Sequence, residues 1–331
     1  MNASDQNSIT EEEAELYDRQ IRLWGANVQR SLRNTRVLVI GMKGVAGEVC
    51  KNLILSGVKS VTMMDHENVS KSDLHSQYLL HPESVGENRA KASLKAAQVL
   101  NPNVKVTAET SSPLELKVSY YSNFDVVCAT SQSNNVYVCL NDICKLYQIK
   151  FYCGDSFGMF GYLFEDLNDG KTAEKTRNAT SFQTAVALKW IPKTSAKKRK
   201  QEDPSYVIFK ILSEFRTVNG RNPSRDVQND YQQLLESRTS ILKKLDLESD
   251  ILPLEYLENI YGEYGPTCSI IGGMIAQQVV KSLSKEEPSS SYIYFFNHLR
   301  CQLSGVSLNQ AVTALEKDAD SKLCEQDFVE L

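Results

Sequence analysis

The feature of this 331-residue sequence that most constrains its fold is an alternation of short apolar runs with helix-like segments. Five apolar runs lie at 36–41, 60–65, 104–107, 124–130 and 149–153. Segments with the periodicity and end signals of helices separate three pairs of these runs, at 45–55, 88–100 and 134–147. Strands that are connected through helices run parallel to one another. The sequence therefore predicts an α/β fold with a doubly wound, mostly parallel, Rossmann-like sheet.

The second half of the chain departs from this alternation. Helical patterns lie at 206–215, 226–245, 254–261 and 269–282, and strand patterns at 292–296 and 302–307 predict closing antiparallel strands. A helix at 11–33, capped by Thr10 with Glu13 three residues later, precedes the first strand. The predicted segments are an N-terminal helical segment (1–35), a Rossmann-like core (36–167), a mobile polar and basic insertion with one helix near 181–188 (168–204), a helical and strand completion (205–310) and a disordered acidic tail (311–331).

Charge and composition disfavour several classes of partner. The formal net charge is −4, and residues 311–331 alone carry six acids and two lysines, so the rest of the chain is close to neutral. A neutral surface does not attract nucleic acid or anionic membranes. The N-terminus lacks the apolar core of a secretory signal, and the longest apolar stretch, 268–280, is shorter than the ~20 residues that span a bilayer. We expect a soluble intracellular protein with reduced cysteines and no structural zinc site.

The segment 41–47, Gly-Met-Lys-Gly-Val-Ala-Gly, joins the first predicted strand to the first helix, where nucleotide-binding folds hold phosphate. Asp65 ends the second strand, where an acid commonly accepts a ribose hydroxyl. Lys43 replaces a glycine that would let the backbone approach phosphate, and Ala46 replaces the last glycine. These residues fit a dinucleotide or ATP site, and they fit equally a tight turn beside a solvated aspartate.

Several motifs in the sequence together carry a resemblance to a known family. They are the glycine loop, Tyr-Asp-Arg-Gln-Ile-Arg-Leu-Trp-Gly at 17–25, Asp-His-Glu-Asn-Val at 65–69, Gly-Asp-Ser-Phe-Gly at 154–158 and the segment 268–277. Over about residues 11–307 the chain resembles the adenylation domains that activate ubiquitin-like modifiers. Within that family it is most similar to the smaller, non-cysteine subunits of heterodimeric SUMO-activating enzymes. The motif at 17–25 is the specific signal.

The chain departs from the ATP-site residues that the resemblance implies. Active members carry asparagine, arginine and glutamine after the ribose aspartate, and the corresponding residues here are Asp73, Ser76 and Gln77. The Mg²⁺-binding pattern Asp-Asn-x-x-x-Arg is replaced by Ser-Gln-Ser-Asn-Asn-Val at 131–136, although Mg²⁺ favours carboxylate and phosphate oxygens. We therefore expect a degenerate site that adenylates nothing and holds no metal, formed by Gly41, Lys43, Gly44, Asp65, Gln77 and Arg89.

The resemblance also implies partners and one catalytic residue. The larger, catalytic-cysteine subunit of the heterodimer would bind ATP and Mg²⁺, adenylate the C-terminal glycine of SUMO and take it as a thioester, while residues 205–310 of this chain supply dimer surface. Arg19 would reach across the dimer to the ATP phosphates, where guanidinium binds in a forked geometry and stabilises developing charge. The alternative for Arg19 is a solvated or ion-paired helix residue. Arg22 would assist it or pair with Asp18.

Three further features allow two interpretations each. Cys268 follows a proline as catalytic cysteines of the larger subunits do, but it opens an apolar run and is better explained as a buried thiol. Gly272 and Gly273 permit close packing, either within the chain or against a partner. The basic run from Lys197 to Lys200 fits a nuclear import signal or a solvated loop, and we expect the protein in the nucleus and also in the cytoplasm.

Other functions stay open at the level of sequence. A self-sufficient homodimeric adenylyltransferase of the sulfur-carrier type is disfavoured by the missing Mg²⁺-binding pattern and by the extra helical half. An NAD-dependent dehydrogenase is disfavoured by Lys43 and by the lack of a histidine with a carboxylate partner. A pure scaffold differs from the subunit function only in whether Arg19 affects the rate of adenylation.

Overall fold

The computed structural model of the chain describes residues 9–168, 181–188, 204–284 and 292–308. The predictions for the basic run at 197–200, for most of the insertion and for the acidic tail lie outside these residues. The helix that the sequence predicts near 181–188 is described, and it spans Phe182–Ala187 with Ser181 as its N-cap.

Eight strands form one mixed sheet in the order β3-β2-β1-β4-β5-β6-β7-β8. The strands from β3 to β5 pair in parallel, and those from β5 to β8 pair antiparallel. Their bounds are β1 Arg36–Ile40, β2 Ser60–Met64, β3 Lys105–Glu109, β4 Val126–Ala129, β5 Lys150–Phe157, β6 Phe160–Asp166, β7 Tyr292–Asn297 and β8 Gln302–Ser307. The predicted fold class is confirmed, and the predicted segments 36–167 and 205–310 both contribute strands to this sheet.

Strand β6 is absent from the sequence-based prediction. It pairs with β5 through a tight reversal at Gly158, whose φ of +52° lies in the left-handed region that glycine adopts without strain. All seven of its residues are buried, because β5 and β7 flank it in the sheet and helices cover both faces. The antiparallel half of the sheet therefore begins inside the predicted core.

Helices cover both faces of the sheet. The helix bounds are α1 Glu11–Leu16, α2 Asp18–Asn34, α3 Gly44–Leu55, α4 Arg89–Leu100, α5 Asn134–Leu146, α6 Phe182–Ala187, α7 Ser205–Asn219, α8 Asp230–Lys244 and α9 Gly265–Leu283. One face of the sheet packs against α3, α4 and α9, with α2 lying on α9, and the other packs against α5, α6 and α7, with α8 lying on α7. In the segment 254–261, for which the sequence predicts a helix, the structure has a 3-10 helix over Leu254–Asn259. In the described ranges, no helix is sufficiently long and apolar to cross a membrane.

The single N-terminal helix predicted at 11–33 is wrong in detail. The predicted capping box is present, because the Thr10 hydroxyl accepts from the Glu13 N–H and the Glu13 carboxylate accepts from the Thr10 N–H. The helix then ends at Leu16 and a second one starts at Asp18. Within this second helix the chain bends at Gly25, which has a φ of +84°. The segment is therefore three short helical pieces rather than one rod.

Candidate functional site

The motif at 17–25 has one face that anchors it to the body of the protein. Tyr17 is buried, its ring packs on Gly57, and its hydroxyl accepts a hydrogen bond of 2.8 Å from Asn101. Gln20 donates to the Leu55 carbonyl at 3.2 Å, and Trp24 donates to Gln29 at 3.1 Å. These contacts hold α2 against the C-terminal end of α3.

A neighbouring face of this segment, which runs from the end of α1 into the first turns of α2, is exposed and carries Arg19. Leu16 and Leu23, three residues before and four residues after Arg19, are 59% and 79% exposed. Within the described residues Arg19 makes no hydrogen bond or ion pair, and its side chain is exposed. Arg22 by contrast pairs with Asp18 at 3.0 Å, one of the two outcomes expected for it. The helix presents Arg19 between two apolar side chains on an uncovered surface.

The glycines of the loop after β1 are explained by close contacts within the chain. Gly41 has a φ of +84°, and a Cβ there would lie 1.9 Å from the Thr130 carbonyl oxygen at the end of β4. A Cβ at Gly47 would lie 2.4 Å from Oε1 of Gln77. Gln77 is itself buried, so it packs beneath α3 instead of facing a ligand. The tight-turn interpretation accounts for these positions.

A carboxylate that the sequence analysis missed occupies the start of α3. Glu263 lies in the short segment before α9, and its Oε2 accepts from the Gly44 N–H at 2.9 Å and from the Ser76 hydroxyl at 2.7 Å. Its Oε1 lies 3.5 Å from the Ser131 hydroxyl. Burial raises the pKa of Glu263, and the hydrogen bonds from Ser76 and Gly44 and the positive charge of Lys43 oppose that shift.

The residues expected to contact ribose and phosphate instead form an acidic cluster around Arg89. Asp65 accepts from the Met42 N–H at 2.8 Å, so its carboxylate supports the loop. Arg89 is buried and contacts Asp73 at 2.8 Å, Glu67 at 2.7 Å and Asp65 at 3.5 Å. Burial lowers the pKa of Arg89, but the paired carboxylates outweigh this effect and raise it above its ordinary value. Arg89 is therefore saturated by acids of its own chain.

The buried acid near the end of β4 is likewise engaged by donors of its own chain. Ser131 adopts a left-handed φ of +54°, and its N–H donates to Asp155. Asp155 is buried and also accepts from the hydroxyl groups of Tyr137 and Tyr162 and from Nη1 of Arg216 at 2.7 Å. Asp155 is thus fully used in holding the floor of the crevice.

These elements enclose a crevice of about 380 Å³. Its acids are Glu67, Asp73 and Glu263, and of its cations Arg216 and Arg221 are each paired with an aspartate, which leaves Lys43. The loop N–H of Gly44 binds Glu263, and the carboxylates of Glu67 and Asp73 bind Arg89, so these groups are engaged by side chains of the same chain. Across the described ranges no group of three or more His, Cys, Asp or Glu side chains could hold a metal ion.

The structure distinguishes between the two interpretations of Cys268 and of the glycine pair. Cys268 is fully buried, and burial raises the pKa of its thiol, so it is unsuited to act as a nucleophile. Gly272 packs against α3, where an added Cβ would lie 2.5 Å from the Cβ of Glu48. Gly273 has open space at the Cβ position and faces away from the body. One glycine serves internal packing and the other lies on an accessible helix face.

Comparisons with known proteins agree with this architecture. The model of the ThiF family matches residues 17–317. SUMO-activating enzyme subunit 1 of Rattus norvegicus is 38% identical over 325 residues, covering 88% of this chain and 93% of the relative. The Homo sapiens protein of the same name is 37% identical over 325 residues, covering 88% and 94%.

A solved structure shares the fold at much lower identity. The crystal structure of SeMet PaaA has a TM-score of 0.59 and 15% identity, and it covers 93% of this chain and 77% of that chain. The family predicted from the motifs is confirmed by the sequence comparisons, whereas this structural likeness concerns the fold alone. The chain belongs to the ThiF family and, within it, to the family of SUMO-activating enzyme subunit 1.

Proposed function

We propose that this chain is the non-catalytic subunit of a heterodimeric, ATP-dependent SUMO-activating enzyme. The larger subunit binds ATP and Mg²⁺, adenylates the C-terminal glycine of SUMO and accepts the acyl group on its cysteine. The proposal is supported by the names of the relatives that match 88% of the chain, and by a crevice whose loop N–H and acids are engaged within the chain. The working site then belongs to the partner.

We also propose that Arg19 acts in trans on the phosphates bound by the partner. The observation that carries this proposal is the free guanidinium of Arg19, which α2 presents on an exposed face between Leu16 and Leu23. The leucines supply apolar surface that association would bury, and the arginine supplies a permanent charge that binds phosphate oxygens in a forked geometry. Charge that develops on the leaving pyrophosphate is stabilised by such a group.

The test is ATP–pyrophosphate exchange by the reconstituted heterodimer in the presence of SUMO. We expect Arg19→Ala to lower the exchange rate about 100- to 1000-fold, the usual cost of removing one preorganised charge donor. Arg19→Lys keeps the charge without the fork and should recover part of this loss. Size-exclusion chromatography should show an unchanged heterodimer for both variants.

Arg30→Ala is the matched control, because Arg30 is also exposed and follows Arg19 in the same helix, beyond the bend at Gly25. We expect this variant to retain the wild-type exchange rate. Equal rates for Arg19→Ala and wild type would reject the role in trans and leave a scaffold. Formation of acyl adenylate by the isolated chain with SUMO, ATP and Mg²⁺ would reject the non-catalytic assignment altogether.

A further inference from the structure

The start of α3 keeps the features of an anion site, and its anion is part of the chain. The first N–H groups of a helix are not used within the helix and carry partial positive charge, so they favour a phosphate or a carboxylate. Here the Gly44 N–H and the Ser76 hydroxyl converge on Oε2 of Glu263 at 2.9 and 2.7 Å. The Gly44 N–H and the Ser76 hydroxyl are therefore taken by a carboxylate of the chain itself.

The backbone that carries Glu263 is held in place. Its neighbour Gly262 accepts a hydrogen bond of 2.8 Å from the Gly158 N–H, and Glu263 itself forms a bridge with Gly158 at the β5–β6 reversal. Two residues after Glu263, helix α9 begins with a proline in its first turn. Because both flanks are fixed by the sheet and by a buried helix, the backbone places the carboxylate of Glu263 within reach of the loop.

Space at this contact is also limited. A Cβ added to Gly44 would lie 2.9 Å from Oε2 of Glu263, 2.9 Å from Sγ of Cys268 and 2.8 Å from Cβ of Ser76. A tetrahedral phosphate is larger than a carboxylate, so both groups cannot occupy the start of α3 together. Binding of a phosphate there requires displacement of Glu263.

We propose that Glu263 is an internal ligand of the glycine loop, which excludes phosphate groups from the crevice by occupying the anion position at the start of α3. This goes beyond the proposed function, because it identifies a single residue of this chain that keeps the crevice free of phosphate esters whether or not the partner is present. This proposal depends on neither Arg19 nor SUMO. A negative result in its binding test would therefore leave the proposed subunit function standing, and a negative result in the exchange assay would leave this proposal standing.

The test is to titrate the full-length chain with pyrophosphate and to measure the affinity by isothermal titration calorimetry. Glu263→Ala removes both the charge and the occupying group, and we expect pyrophosphate affinity to rise at least about tenfold over wild type. Glu263→Gln keeps an acceptor oxygen and most of the volume but loses the charge, so its affinity should lie between the two. Circular dichroism confirms the fold of each variant, and Glu263→Gln decides the question if Glu263→Ala does not fold.

Glu67→Gln is the matched control. Glu67 lines the same crevice and carries the same charge, but its carboxylate contacts Arg89 and not the loop. If the carboxylate of Glu263 blocks the loop, Glu263→Gln should gain clearly more affinity for pyrophosphate than Glu67→Gln does. An equal gain for the two variants would mean that general acidity of the crevice excludes the anion. Such a result overturns the proposal, as does wild-type affinity in both Glu263 variants.

Discussion

The buried pair of Asp155 and Arg216 beneath the crevice gives a quantitative prediction. The two side chains are 1% and 3% exposed, and Nη1 of Arg216 lies 2.7 Å from Oδ2 of Asp155. Burial lowers the pKa of Arg216, but Asp155 outweighs it and raises that pKa above its ordinary value. One neighbouring carboxylate, that of Asp155, therefore neutralises the buried positive charge of Arg216.

Asp155→Asn keeps the shape of the side chain and removes its charge. The amide leaves a buried guanidinium without a counter-ion, and it supplies only one acceptor oxygen where four donors converge. Removal of one partner from a buried ion pair costs about 3–5 kcal/mol, which is a large part of the total stability of a domain. The free energy of unfolding, measured by urea titration followed by circular dichroism, should fall by that amount.

Asp125→Asn provides the comparison. Asp125 accepts from Nε and Nη2 of Arg36 at 3.0 and 2.9 Å and from its backbone N–H, but these side chains are 41% and 40% exposed, so its replacement should cost only about 1–2 kcal/mol. The double variant Asp155→Asn with Arg216→Met removes the unpaired charge, and it should be more stable than Asp155→Asn alone. Equal losses for Asp155→Asn and Asp125→Asn would refute the reasoning, as would a double variant less stable than the single one.

Two further predictions concern packing and pH. Gly272→Ala should destabilise the chain by about 1–3 kcal/mol, because the added Cβ meets α3. The Cβ of Gly273→Ala meets open space, so this variant should stabilise α9 by up to about 1 kcal/mol. Thermal unfolding should therefore show a lower melting temperature for Gly272→Ala and a higher one for Gly273→Ala. Burial raises the pKa of Asp73, but the Ser70 N–H and Arg89 outweigh it and hold that pKa below its ordinary value of 3.8. The stabilising effect of the Asp73 carboxylate is therefore complete above the unfolded-state pKa and disappears as pH falls through the folded-state pKa. The stability difference between wild type and Asp73→Asn, measured by urea titration, should be constant from pH 7 to about 5 and shrink below that; a difference that grows on acidification would contradict the ion pair.

The parallel half of the sheet was predictable from sequence because each of its strands is a local apolar run bounded by a turn or a helix signal. β6 was missed because its seven buried residues include Gly161 and end in Glu165 and Asp166, which weakens the apolar signal. Its burial comes from β7, whose first residue, Tyr292, lies far along the chain. Pairing at that separation has no local signature.

The candidate site also contains residues that the sequence pointed to and one that it did not. Asp65 was singled out from its place at the end of β2, and Arg89 from the family pattern at the start of the following helix; the structure brings the two together, with Nη1 of Arg89 3.5 Å from Oδ2 of Asp65. Glu263 was missed because it contacts Gly44 across 219 positions of sequence. An acidic residue just before a helix is common in sequences and does not by itself indicate a site. Only the three-dimensional fold shows that the start of α9 lies beside the glycine loop.

The neighbouring strands β6 and β7 are far apart in the sequence, and this separation has a consequence for synthesis of the chain. β6 ends at Asp166 and its outer neighbour β7 starts at Tyr292, so about 125 further residues must be translated before the two can pair. At roughly 5–20 residues per second the wait is on the order of 6–25 seconds. During that interval the nascent chain carries an apolar strand with open backbone hydrogen-bonding groups, a template for pairing with other chains. Ribosome-associated chaperones would be most valuable to this protein in that window.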